Sequence, residues 1–193
     1  MLKNEILEKL KGLGIGDTVC FTGSRPAKLR GYKKELYTQF VDQLAFWAVD
    51  KTKSSNSVIN AVYQPFIGQE KRWLAAGLFS QKDYRTMLHY ADEVNVVAKD
   101  IDTADYKAVC KALDDRNRAM VDDAGLVIAL YQDDTWEHAV KSGTANCMRY
   151  AKRCQKPILQ LCYDTDNGFS GHDENINTPL VITNMKLWLP GEY

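Results

Sequence analysis

The sequence has no CxxC pair, only three histidines, no surplus of either charge and no apolar run long enough to span a bilayer. Each shortage excludes something. The five cysteines, Cys20, Cys110, Cys147, Cys154 and Cys162, are odd in number and mostly sit among apolar or helical residues. They read as free thiols that pack as small hydrophobes in a reducing cytoplasm. His89, His138 and His172 show no ligand spacing with them, so no zinc site, other metal or cofactor is expected. A formal net charge of zero gives no general pull toward DNA or an anionic membrane. Residues 1–10 lack a continuous apolar stretch and a small-residue cleavage site. They read as a short amphipathic helix ended by Gly12 and Gly14, not as a secretory signal. A soluble cytoplasmic protein is therefore the expectation.

What is present is ordinary globular material: 193 residues, 45% hydrophobic and 26% charged. That length suits a single domain with a real core. Short apolar strands are expected at 18–22, 58–63, 93–98, 125–131 and 157–162, with helices at 33–53, 69–78, 81–91, 103–123 and 143–154. Thr103 is the candidate N-cap of the fourth of these helices. The run Leu126-Val127-Ile128-Ala129-Leu130 is apolar throughout, as a parallel strand covered on both faces requires. Residues 163–179 read as a surface loop, followed by two apolar fragments, Val181-Ile182 and Leu187-Trp188-Leu189. Strands alternating with helices give an α/β class with Rossmann-like winding, and ligands of such sheets bind beyond the carboxyl ends of the strands.

Four segments fall at such ends or just before them. Thr22-Gly23-Ser24-Arg25 follows the first strand. There Gly23 lets backbone approach a phosphate, and Ser24 and Arg25 can donate to it; an ordinary turn with a solvated arginine has the same letters. Gln69 and Trp73 follow the second strand, where Trp73 can stack on a base or fill a core. Arg116 and Asn117, on the helix before the buried strand, offer a planar cation and an amide. The competing reading is an exposed helix face with Asp–Arg pairing at helical spacing. Gly143-Thr144-Ala145-Asn146 opens the next helix, whose free N–H groups and positive dipole end suit an anion. Capping by Ser142 or Thr144 uses the same geometry, and sequence does not separate the two. His138 lies in the preceding loop. No Ser-His-Asp or Cys-His arrangement is present, so no catalytic residue is assigned.

In order, Cys20 to Pro26, Pro65 to Trp73, Asp115 through Leu130, and Gly143-Thr144 through Tyr150-Ala151 resemble the SLOG superfamily of Rossmann-like nucleotide-binding proteins. They are most similar to its YpsA-like branch, related to the DNA-processing protein DprA and common in bacteria and their phages. The resemblance implies a site for a nucleotide or nucleotide-derived ligand. In the superfamily's LOG branch, which cleaves N-glycosidic bonds of nucleoside monophosphates, an Arg-Lys-x-x-Met helix precedes a Pro-Gly-Gly-x-Gly-Thr loop with a glutamate. Arg116 and Met120 match that helix, and Gly143-Thr144 match the loop's end. The glutamate position falls on Asn146. An amide cannot supply the negative charge that an oxocarbenium-like transition state wants, so the resemblance favours binding over hydrolysis. Asp122, Asp133 and Glu137 are the nearby carboxylates. A glycine-rich loop and strand usual in the YpsA-like branch are missing around Asp42, which suggests one β-α unit fewer than the family pattern.

The expectation is thus a Rossmann-like α/β domain over 1–193, with a core at about 17–163 and a tail at 164–193. It binds a nucleotide-derived small molecule as a sensor or sequestering protein. The binding set is Thr22, Gly23, Ser24, Arg25, Gln69, Trp73, Arg116, Asn117, Gly143, Thr144 and Asn146. A LOG-like N-glycosidase and a regulatory protein with a vestigial pocket are the alternatives. The zero charge and the lack of interleaved basic and aromatic residues argue against nucleic acid. No membrane partner is expected, and self-association is left open.

Overall fold

A computed structural model describes residues 18–24, 58–62, 81–98, 101–102, 104–132, 134–163 and 182–193. Their strands are β1 (Val19–Gly23), β2 (Val58–Val62), β3 (Glu93–Ala98), β4 (Leu126–Leu130), β5 (Ile158–Tyr163) and β6 (Ile182–Trp188). The helices are α1 (Gln81–Tyr90), α2 (Tyr106–Asp123) and α3 (Gly143–Arg153), with a single 3-10 turn at Asp134–Glu137. By its contacts the chain divides into two compact units, Met1–Ser54 with Val121–Tyr193, and Ser55–Met120.

The first unit holds a four-stranded sheet in the order β1-β4-β5-β6. β1 runs parallel to β4, with Val19 opposite Leu126 and Gly23 opposite Leu130, and β4 runs parallel to β5. β6 returns antiparallel along β5. A mostly parallel open sheet with helices is the α/β Rossmann-like fold that the alternation of strands and helices predicts. Every residue of β4 and β5 is buried, which is why both are nearly all apolar. The exception is Gln160, fully buried in β5, whose side-chain oxygen accepts from the Trp188 indole at 2.9 Å. A buried amide without that donor would carry a desolvation cost. β6 is one strand, not the two fragments that the sequence suggests. Asn184 and Lys186 interrupt its apolar residues, as an edge strand allows.

α3 has a buried stripe of Thr144, Ala145, Cys147, Met148 and Ala151, and it packs on β1, β4 and β5. It links two adjacent parallel strands and so must run back along the sheet, which puts its N-terminus at the carboxyl edge of β4. Trp136, fully buried on the 3-10 turn, meets Trp188 edge to face at 5.7 Å. This knot of 3-10 turn, α3 and β6 was not foreseen from the sequence.

The second unit contains a parallel pair, β2 with β3, whose register slips between Ala61 and Val62. α1 and the greater part of α2 belong to the same unit. α2 starts three residues later than expected. Asp102 accepts from the Ala104 N–H and Asp105 from the Lys107 N–H, and the first helical bond runs from Val109 to the Asp105 carbonyl. Asp105 is therefore the cap, and Thr103 lies outside the described residues. Also outside them are the expected helices at 1–14, 33–53 and 69–78, the loop at 164–179 and the shortened region near Asp42.

Among the described residues, no helix is long and apolar enough to cross a membrane, and no group of histidine, cysteine, aspartate or glutamate is placed to hold a metal ion. All five cysteines are free thiols. Burial pushes the Cys20 thiol far up, while Cys110 is exposed.

Candidate functional site

The carboxyl edge of β1 and β4 is the place to build a site. Beyond β1, the Ser24 N–H donates to the carbonyl of Leu130, the last residue of β4, at 3.0 Å. Ser24 is therefore fixed at that edge. It is only 7% exposed, and its hydroxyl has no hydrogen-bond partner among the described residues. A buried hydroxyl without a partner costs free energy, and such exceptions concentrate where function demands them. Thr22 and Gly23 complete the strand, half-buried and exposed respectively.

The second wall is the entrance to α3. Ser142 is extended, with φ −134 and ψ 117, and its hydroxyl accepts from the Ala145 N–H at 3.2 Å. Capping thus falls to Ser142, not Thr144, and it satisfies one N–H. The Asn146 N–H donates to the Ser142 carbonyl. The N–H groups of Gly143 and Thr144 have no protein acceptor among the described residues. A helix normally leaves its first N–H groups for water, a cap or a ligand. Here the cap leaves two of them open at the positive end of the α3 dipole, with Lys152 and Arg153 at the opposite end, where cations suit it.

The approach to α3 carries no exposed carboxylate of its own 3-10 turn left unpaired. Glu137 pairs with Lys152 at 2.7 Å, and Asp134 pairs with Lys186. His138, Val140 and Lys141 are exposed on the way to Ser142. Of the carboxylates considered as substitutes for a catalytic glutamate, Glu137 is thus held by Lys152. Asp122 lies just before β4, at its amino edge, where it accepts from the Tyr150 hydroxyl at 2.9 Å. Asp133 is outside the described residues.

Arg149, one of α3's half-buried residues, had no role in the sequence reading. Its Nη1 donates to the carbonyls of Trp136 at 2.6 Å and Ala139 at 2.9 Å, with a longer contact to that of Glu137 at 3.4 Å. Its Nη2 donates to Oδ1 of Asn146. One side chain ties the β4–α3 connection to the helix it feeds. Only the arginine at an amphipathic spacing was visible in the sequence; the carbonyls that it meets were not.

Of the expected set, the structure brings Thr22, Gly23 and Ser24 to the same sheet edge as Gly143, Thr144 and Asn146. Arg25, Gln69 and Trp73 lie outside the described residues. Arg116 and Asn117 lie on α2, where the guanidinium donates to the neighbouring amide oxygen at 2.8 Å. The i,i+4 ion pairs of that helix are Asp114 with Arg118 and Lys111 with Asp115.

At the far end of α3, the Tyr150 phenol is pushed up to about 12 by its hydrogen bond to Asp122, then by that to Cys154 and by burial. The neutral phenol is the form that the fold favours. Its contribution to stability is full below the ordinary value of 10.0 and is lost as pH rises through about 12. Absorbance titration at 295 nm should show one fewer phenol ionising near 12 in Tyr150→Phe, and the variant's stability should fall less steeply above pH 10. A Tyr150→Phe titration curve missing a phenol near 10 instead would remove the Asp122 interaction.

The comparisons with known proteins agree with this architecture. The model of the YspA SLOG family matches residues 38–165. The uncharacterized SPbeta prophage-derived protein YoqJ of Bacillus subtilis (strain 168) is 33% identical over 122 residues, 58% of this chain. The chain covers 64% of that relative's length. No solved structure matches. The family match begins after β1, so the parallel pairing of β1 with β4 adds the Thr22-Gly23-Ser24 edge to what similarity alone supplies. With well over half of its length matched, the chain belongs to the YspA SLOG family.

Proposed function

We propose that this protein binds a nucleotide or nucleotide-derived ligand, gripping its phosphate at the carboxyl edge of β1 and β4. One observation carries the reading. The open N–H groups of Gly143 and Thr144 and the buried, unpartnered Ser24 hydroxyl occupy the same edge of one parallel sheet. Backbone donors at a helix N-terminus favour an anion without needing a cationic side chain. Gly23 allows close approach, and Asn146 adds an amide. Arg25, which follows Ser24 in the chain, is a further phosphate donor in this reading. Membership of a Rossmann-like SLOG family supports a nucleotide-related role.

Binding is favoured over N-glycoside cleavage. Asn146 stands where LOG enzymes have a glutamate, and its side-chain oxygen is already held by Arg149. The protein then acts as a sensor or sequesters a signalling nucleotide in the cytoplasm.

A thermal-shift screen tests this directly. Nucleoside monophosphates, dinucleotides, cyclic nucleotides and ADP-ribose are compared with their unphosphorylated nucleosides. A ligand at 100 times its Kd adds about 2.7 kcal/mol to the stability of the native state. Stabilisation by a phosphorylated compound, absent with its nucleoside, is expected. No shift with any of them, from protein that melts cooperatively, would reject the proposal. Release of free base from a stabilising monophosphate would replace it with the N-glycosidase reading.

A further inference from the structure

Asn146 and Arg149 set the polarity of the α3 entrance. A guanidinium has five donors and no acceptor. The oxygen of the Asn146 amide must therefore face Arg149, and its NH2 group must face away. The orientation of an asparagine amide is usually a choice between two similar shapes, but the chemistry of the partner removes that choice. Asn146 is exposed and sits one turn after Ser142 on the same face of α3. Among the described residues, its side-chain nitrogen donates to none. Arg149 is meanwhile anchored by the carbonyls of Trp136 and Ala139, so it cannot easily swing out to meet a ligand itself.

We propose that Arg149 is a positioning residue that fixes the Asn146 amide as an outward hydrogen-bond donor, adding a third donor to the two open N–H groups at the first turn of α3. This rests on the phosphate reading of that turn and adds a specificity to it. Gly143 N–H, Thr144 N–H and the Asn146 NH2 group accept no proton from a ligand. They are matched to a fully ionised terminal phosphate and mismatched to a protonated phosphate or a neutral hydroxyl. Arg149 acts through Asn146 and the loop. It keeps its own charge turned toward backbone.

The test uses the full chain with AMP as the probe, and Kd is measured by calorimetry from pH 5 to 8. A phosphate monoester loses its second proton near pH 6. Wild-type affinity is expected to rise through that region. Asn146→Asp keeps an acceptor for Arg149 but turns a second carboxylate oxygen outward in place of the NH2 group. It should fold as stably as wild type and bind AMP at least about 10-fold more weakly, as loss of a hydrogen bond to a charged group implies. Arg149→Met frees the amide to turn either way, which should weaken binding and flatten the pH profile. Arg149→Lys retains a cation with three donors and should recover part of both.

A second readout needs no ligand. Hydrogen exchange at the amides of residues 137–141 should quicken in Arg149→Met and slow again in Arg149→Lys. AMP binding by Asn146→Asp equal to wild type, or unchanged exchange in Arg149→Met, overturns the proposal. If wild type binds no phosphorylated nucleoside, the phosphate reading fails and the specificity added by Asn146 falls with it. Faster exchange in Arg149→Met would then leave only a loop anchor.

Discussion

Gly143→Pro is expected to abolish most ligand affinity while leaving the protein folded. The substitution suits the backbone. Ser142 is extended, the conformation that a residue before proline prefers, and Gly143 is the first residue of α3, where proline is well tolerated. What the proline lacks is the N–H. One of the two open donors at the proposed phosphate site disappears, and the ring occupies the approach to the other. A hydrogen bond to a charged group contributes about 1.5–3 kcal/mol, so Kd should rise roughly 10- to 100-fold or more. Calorimetry with the ligand that stabilises wild type measures this, and a melting curve checks the fold. Gly143→Ala retains the N–H and should lose far less. Wild-type affinity in Gly143→Pro would place the phosphate elsewhere.

The largest stability effect is expected at Trp136. Its ring is fully buried, stands edge-on to Trp188 and lies 6.0 Å from the Lys152 ammonium. Trp136→Ala leaves a cavity beneath the loop that leads to α3 and should cost about 3–5 kcal/mol. Trp136→Phe is the informative companion. The indole N–H is buried and has no acceptor among the described residues, so its removal takes away an unsatisfied donor along with some volume. The phenylalanine variant should lose only about 1–2 kcal/mol. Urea denaturation followed by circular dichroism separates the two. Equal losses would mean that the indole N–H is satisfied in solution.

How far the sequence could reach differs from element to element. β4 and β5 are legible because burial on both faces demands an unbroken apolar run, and Leu126 to Leu130 supplies one. The Ser142-Gly143-Thr144 start of α3 is legible as a helix entrance, since a hydroxyl before the first turn has a clear role there. Which hydroxyl does the capping is not, because that depends on one backbone torsion at Ser142. α2 was expected to begin at Thr103. Two aspartates nearby, Asp102 and Asp105, offer competing acceptors, and Asp105 wins. β6 was split in two because its polar residues mask a strand that only pairing with β5 reveals. Arg149 was least legible. Its partners are main-chain carbonyls, and a carbonyl's direction leaves no mark in the side-chain sequence.

The sheet's order also bears on how the chain reaches its native state. β1 finds its neighbour not in the next strand but in β4, with Val19 opposite Leu126 across more than a hundred residues of intervening chain. Contacts this distant in sequence must meet the entropy of closing a long loop before they return any stabilisation. During synthesis, β1 emerges early and waits for β4, while the contiguous unit from Ser55 to Met120 is already complete. The Ser24 wall of the proposed site is therefore assembled late. A chain halted before β4 would carry β1 without its partner strand and would hold neither wall of the proposed site.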